Sequence, residues 1–348
     1  MSLSFFNIKI ARQSMKKIYL SIILTGLGLF VGSFISFYKE IIINPEEIFS
    51  SSIFGQQSKN SKIIIYAVGD VMLDRGVEYM VEKEGEGDFR FPFLKIAGRL
   101  KKADILFGNL EGPVSERGNR VGSIYSFRSD PKAVEGLDYA GFDVLSLANN
   151  HMLDYGRDAL EDTMNTLKTN NIDYVGAGFN EKESFSLRIK KIKNIKIGFM
   201  AFTDLGPSNW RANEENSGMS WVGEEDMGKI EEDVRIAKEK TDILVVSLHS
   251  GNEYDSNPTV FQEKFSRSCI DAGADIILGH HPHVVQKVEK YQNGWIAYSL
   301  GNFVFDQFFS EETMKGALLE IIIINGKIKE VNSKEVKISQ FYQPYLTE

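Results

Sequence analysis

GHHPHVVQKVEKYQNGWIAYSLGNFVFD, residues 279–306, packs three of the chain's five histidines, His280, His281 and His283, just after the mostly apolar run 274–278. The other two, His151 and His249, also follow directly on apolar, strand-like runs. Histidines this few in 348 residues, all at the exits of predicted strands, are not core filler. The pattern points to a metal centre at the carboxyl edge of a sheet, where α/β architectures place their ligands.

Outward from that stretch, apolar runs alternate with amphipathic, charge-rich segments from Lys62 onward. Runs 63–68, 105–107, 144–147, 195–202, 243–248, 276–278 and 295–298 are predicted strands. Segments 95–102, 158–170, 224–240 and 260–272 are predicted helices. Such alternation predicts an α/β fold whose central strands are buried on both faces. Residues 316–324 and 327–338, joined through Asn325-Gly326, predict a closing hairpin. Nothing between Lys62 and Ile338 marks a second domain, so 62–340 is expected to fold as one. The single cysteine, Cys269, excludes an internal disulfide and a cysteine-rich zinc site, and its helical setting predicts a buried structural thiol.

Polar residues recur where the apolar runs stop. Asp70 ends the first, Asn109 and Glu111 follow the second, and Asn149-Asn150-His151 follow the third. His249 ends another run, and Gly301-Asn302 follows the last. Carboxylate, amide and imidazole from separate strands suit Zn²⁺, Mn²⁺ or Fe rather than a thiolate-selected metal. In an extended backbone, His281 and His283 share a side and would aim two imidazoles together. Each residue alone has a plainer role: Asp70 as a turn or cap, Asn149-Asn150 as turn formers, His249 as a satisfied core histidine. Their joint arrival at one edge favours the metal centre.

Upstream, residues 1–17 are basic, 18–38 (IYLSIILTGLGLFVGSFISFY) are uncharged and apolar, and 39–61 are polar and serine-rich. Twenty-one such residues span roughly 31 Å as a helix, about one hydrocarbon thickness. The segment is expected to be a single-pass membrane anchor with a cytoplasmic N-terminus, followed by a linker and an extracytoplasmic body. A cleaved signal peptide is the competing expectation, although no clear cleavage site follows. The net charge is −8; Lys9, Arg12, Lys16, Lys17 and Lys39 contribute +5 without an acid before Glu40, so the remainder carries −13. An acidic body argues against nucleic acid as a partner, because that binding requires basic surface.

GDVMLDRG (69–76), GNLEGPVS (108–115), LANNHMLDYG (147–156), SLHSGNEYD (247–255), ADIILGHHPHVV (274–285) and YSLGNFVFDQ (298–307) together resemble the CapA/PgsA-type capsule and poly-γ-glutamate synthesis proteins. That family is similar to the calcineurin-like metallophosphatases, which implies a four-layer α/β/β/α sandwich holding one or two divalent metal ions. The resemblance implies metal contacts from Asp70, Asn109, Glu111, Asn150, His249, His281 and His283. It implies that Asn150 and His151 act at the substrate, and leaves His280 for substrate or supporting contacts. One departure stands out: Met72 occupies a position where the phosphatases place a histidine ligand, which implies a first metal position that is weak, filled through Asp74 or Glu111, or empty. Arg128 is a candidate for gripping a phosphate or carboxylate, or else a surface ion pair. The tryptophan-bearing segment 204–221 is expected to border the site, and Asp154 and Tyr155 to buttress the Asn-His turn. The implied role is capsule or poly-γ-glutamate production or export, with polymer synthase subunits as partners and an anionic polymer or phosphoester as substrate. A non-catalytic assembly subunit and an external phosphatase or nucleotidase are the alternatives.

Overall fold

Along the run 62–71 the side chains sort by period two, as a strand requires. Ile63, Ile65 and Ala67 join one buried cluster while Tyr66 and Val68 join another. The computed structural model describes residues 62–122 and 124–347 and makes this run the strand β1 (Lys62–Val71). The stretches predicted as cytoplasmic N-terminus, anchor and linker, 1–61, lie outside the described residues. Among the described residues no helix is long and apolar enough to cross a membrane.

The other strands follow in chain order: β2 (Ile105–Leu110), β3 (Val144–Ser146), β4 (Asp173–Val175), β5 (Ala177–Gly178), β6 (Arg188–Ile192), β7 (Ile195–Thr203) and β8 (Gly218–Met219). After them come β9 (Ile243–His249), β10 (Ile276–His280), β11 (Val288–Tyr291), β12 (Gly294–Ala297), β13 (Asn302–Val304), β14 (Lys315–Ile324), β15 (Lys327–Ile338) and β16 (Pro344–Leu346). One sheet runs β16-β15-β14-β1-β2-β3-β4, with β13 pairing parallel to the end of β1. The second runs β11-β12-β10-β9-β7-β6. Both are parallel at the centre, β1-β2-β3-β4 and β7-β9-β10-β12, and carry antiparallel strands outside.

The two sheets pack face to face through Ile63, Ile65 and Phe107 on one side and Ile197, Phe199, Val245 and Leu278 on the other. Phe107 and Phe199 stack at 5.7 Å, an aromatic pair worth about 1 kcal/mol beyond its buried area. The outer face of the first sheet packs Leu106 and Leu145 against helices Arg75–Glu84, Ala133–Ala140 and Arg157–Thr169. The outer face of the second packs Leu244 and Val246 against helices Met227–Glu239 and Val260–Asp271. The result is a mixed α/β sandwich with helices on both outer faces. Cys269 is buried in the latter layer, where desolvation pushes its thiol well up, as expected of a structural thiol.

Several boundaries move. The predicted helix 95–102 shrinks to the single turn Ala97–Leu100, and 224–240 begins as a 3₁₀ turn before Met227–Glu239. The helix Arg75–Glu84, not anticipated, starts at Asp74, whose carboxylate accepts the Arg75 N–H at 2.7 Å. Its buried apolar residues are only Val77 and Val81, too few to stand out as a period. The closing hairpin forms with Asn325 and Gly326 both at positive φ, the tight turn that this dipeptide favours.

Candidate metal centre

The parallel strands of both sheets deliver their carboxyl ends to one place. β1 shifts register between Ala67 and Asp70, so Asp70 lies between Asn109 of β2 and Asn302 of β13. Gly69 permits this: a Cβ there would stand 1.9 Å from the Gly301 carbonyl oxygen, the group that accepts the Asp70 N–H at 3.0 Å. Across the sandwich, His280 of β10 pairs with His249 of β9.

Asp70, Glu111 and His249 are buried, and their ligand atoms lie within 4.8 Å of one another. Glu111 is the side chain that lacks protein partners. Both of its carboxylate oxygens are buried without a hydrogen bond, with His151 Nε2 and His283 Nε2 each 3.8 Å from Oε1. An ionised carboxylate left unpaired in such a place is costly. Burial, with the Asp70 charge added, raises the Glu111 carboxyl well above its ordinary range, and Arg75 opposes the rise. The His281 Nδ1 is also buried and unpartnered. Orphaned carboxylate and imidazole atoms converging beside Asp70 and His249 are the donor set of a divalent cation, and the residues present fit one.

The amides hydrogen-bond to this set and orient it. Asn109 Nδ2 donates to Asp70 Oδ1 at 2.8 Å and lies 3.3 Å from His249 Nδ1, while its oxygen accepts from Asn149 at 3.2 Å. Each end of Asn109 thus has a protein partner, whereas Glu111 is the side chain with both oxygens free. Asn150, half-buried, accepts from His249 Nε2 at 2.8 Å. Asn302 accepts from His283 Nδ1 at 2.9 Å, which leaves Nε2 toward Glu111 without a proton. The expectation of an extended His281-Pro282-His283 is corrected: both histidines sit at positive φ, +98° and +59°, and the kinks bring their rings to 5.8 Å. Backbone in that region is uncommon outside glycine and collects at functional sites.

His151 Nδ1 lies 2.8 Å from Asp154 Oδ2, and its ring packs 4.1 Å from that of Phe127. Asn150 and His151 border two clefts. One, of about 520 Å³, is also lined by Arg75, Glu253, Tyr254 and His283; the other, of about 410 Å³, by Pro207, Trp210 and His281. Leu205–Pro207 and Trp210 thus bring the segment 204–221 to the site, and Trp221 anchors it by donating Nε1–H to the Gly206 carbonyl at 3.2 Å.

Three expectations change. His280 contacts no cleft: it is fully buried, with Nδ1 3.3 Å from Asp70 Oδ1 but not aligned as a hydrogen bond, and its ring 6.2 Å from Phe107. Arg128 places its guanidinium 4.1 Å over Tyr155, with Nη1 3.3–3.5 Å from the carbonyls of Glu116, Arg117 and Gly118. Met72 is buried against the helix layer, and its sulfur accepts the Asp74 N–H at 3.1 Å. Asp74 is spent on the Arg75 and Arg128 N–H groups, which leaves Glu111 as the carboxylate with free oxygens. Residues that the sequence did not single out are Arg75, Glu253, Tyr254 and Asp306. Their signal was position alone, inside GDVMLDRG, SLHSGNEYD and the 306 end of the opening stretch.

Burial holds the imidazoles neutral. It lowers His281 to about 3, helped by His283 and opposed by Asp70, and it moves His249 and His283 down as well. Asp70 is pushed up by burial but pulled below its usual range by His280, His283 and Asn109. Without metal, the unfolded chain therefore binds protons at these histidines that the folded chain does not. Stability present above about pH 6.5 is lost as pH falls, by up to about 1.4 kcal/mol per unit for each histidine still neutral in the fold, and for His281 the loss continues toward about 3. Glu111, with its folded value raised, works the other way above about pH 4.5, so the histidines outnumber it three to one. Urea midpoints in chelator are expected to drop between pH 7 and 5.5; equal midpoints contradict the assignment.

A family model described as the bacterial capsule synthesis protein PGA_cap matches residues 64–307. The chain is 36% identical over 267 residues to the capsule biosynthesis protein CapA of Bacillus anthracis, covering 75% of this chain and 64% of that one. It is 34% identical over 256 residues to the PGA biosynthesis protein CapA of Bacillus subtilis (strain 168), covering 73% and 66%. The matches thus span just under two thirds of either relative. Among solved structures, a phosphatase from Mycoplasma pneumoniae is similar at a TM-score of 0.46 and 13% identity, over 80% of this chain and 94% of that one. On the family match and the relatives together, the chain belongs to the bacterial capsule synthesis protein PGA_cap family.

Proposed function

We propose that the chain serves capsule or poly-γ-glutamate production or export, anchored in the cell membrane with its body outside, through a metal-dependent, hydrolase-type site. The relatives' names support the polymer, and the single observation that carries the site is the buried, unpartnered Glu111 carboxylate facing Asp70 and His249. Asp70, Glu111, His249, His281 and His283 would hold a divalent ion of the Mn, Zn or Fe class. When bound, such an ion supplies Lewis acidity toward a phosphoryl or carbonyl oxygen and activates water. Asn109, Asn149 and Asn302 keep the donors oriented. His151, tethered by Asp154, presents Nε2 where it can hold or donate a proton to a leaving group. The metallophosphatase architecture implied by the motifs agrees with this division of labour, and a phosphoester or related bond is the proposed substrate.

The buried Met72 favours a second reading, in which the centre is structural and the chain is an assembly subunit of a polymer synthase. Metal content and hydrolysis of a generic aryl phosphoester by the full chain in detergent separate the two. The first expects stoichiometric metal and turnover, both lost in Asn150→Ala/His281→Ala together with polymer output. Wild-type protein without metal, and normal polymer output from the double variant, would sink it.

A further inference from the structure

Arg75 is the one lysine or arginine among the described residues lining the cleft beside His151 and His283. It sits at φ +53°, a backbone region that an L-residue holds only when its surroundings insist. They do. Its N–H donates to Asp74, its Nε donates to Asp306 Oδ2 at 3.2 Å, and its Nη2 donates to Asp306 Oδ1. Asp306 also accepts the Gly76 N–H at 3.0 Å, and the guanidinium lies 4.6 Å over the Phe127 ring. One edge of the fork is used; Nη1 makes no hydrogen bond among the described residues, and the side chain is 32% exposed. Arg128, by contrast, faces three backbone carbonyls.

We propose that Arg75, held by Asp306 and Phe127, is an oxyanion-binding residue of the metal cleft, gripping a substrate carboxylate or phosphate through the guanidinium edge that Asp306 leaves free. A planar guanidinium matches two oxygens of either group, and its charge persists at every physiological pH. The chemistry also answers the acidic surroundings. Glu253 lines the same cleft and residues 62–348 carry −11, so an anionic substrate needs a local cation besides any metal. The inference rests on the metal cleft being the working site.

The test is calorimetric titration of the full chain in detergent, with and without Mn²⁺, using inorganic phosphate and γ-glutamylglutamate as separate probes. Arg75→Gln is expected to weaken the better probe by about tenfold or more with metal content unchanged, and Arg75→Lys to restore part of it. Arg75→Gln leaves the Asp306 carboxylate without its cation, so Arg75→Gln/Asp306→Asn guards against misfolding and should show the same loss. The stronger probe tells a phosphate subsite from a carboxylate one. Affinities within about twofold of wild type in both variants, or no binding of either probe by wild type, overturn the inference and leave Arg75–Asp306 a structural ion pair. Wild type that holds no Mn²⁺ yet loses phosphate binding with Arg75 would fault the metal reading and not this one.

Discussion

Glu111→Gln is expected to cut Mn²⁺ or Zn²⁺ affinity by about a hundredfold or more while stabilising the metal-free chain by about 1–3 kcal/mol. The two effects share one cause. Glu111 is 1% exposed, neither oxygen has a hydrogen-bond donor, and Asp70 adds like charge. Between its unfolded pKa and its raised folded value, the unfolded chain releases a proton that the folded chain keeps, and stability falls as pH rises. A neutral amide of the same shape removes that slope, but it removes an anionic donor too. Metal binding, in contrast, requires Glu111 to ionise, so wild-type affinity rises with pH and binding releases protons. Chelator competition and urea denaturation at pH 7 measure both halves. A variant that binds metal normally, or whose metal-free form is less stable than wild type, would show that Glu111 has a partner or purpose other than the ion.

His151→Gln should lower phosphoester hydrolysis by about 10²–10⁴-fold with metal content intact, the range typical for loss of a positioned proton donor. The dyad geometry carries this expectation. Asp154 Oδ2 lies 2.8 Å from Nδ1, so the carboxylate fixes the ring and leaves Nε2 toward the cleft, 3.8 Å from Glu111. Asp154 also accepts the Phe127 N–H at 2.9 Å, which ties the ring that packs on His151 to the same carboxylate. Asp154→Asn should act through His151 and lower turnover less, because the amide holds the ring in place less firmly than the carboxylate. If His151→Gln retains wild-type turnover, the proton comes from elsewhere. If wild type shows no turnover above a metal blank and His151→Gln leaves polymer output unchanged, the assembly role replaces the catalytic one.

Much of the centre was legible because strand ends are legible. Asp70, Glu111, His249 and the 280–283 cluster each follow an apolar run, and parallel strands collect such ends on one edge whatever their order in the sheet. Arg75 was missed for the opposite reason. It stands four residues beyond its strand, in a helix with two buried apolar residues, and it reaches the cleft only through an unusual backbone angle and a carboxylate 231 positions away. Arg128 illustrates the converse. Its sequence context looked like an anion grip, yet it stacks over Tyr155, turns Nη1 to neighbouring carbonyls and lines neither of the two clefts at His151.

Apolar runs alternating with amphipathic segments, the Asn-Gly turn and the histidines placed at strand exits are local patterns, and the sequence by itself determined from them an α/β fold with a metal-suited edge. Which donors remain free at that edge was decided only by the tertiary structure. Asn109 and Asp74 are consumed by hydrogen bonds, His280 is sealed beneath Asp70, and Glu111 is left without a partner. The physical reason is that hydrogen-bond satisfaction and desolvation depend on what the far strands bring, and periodicity along one strand carries no record of its neighbours across the sheet.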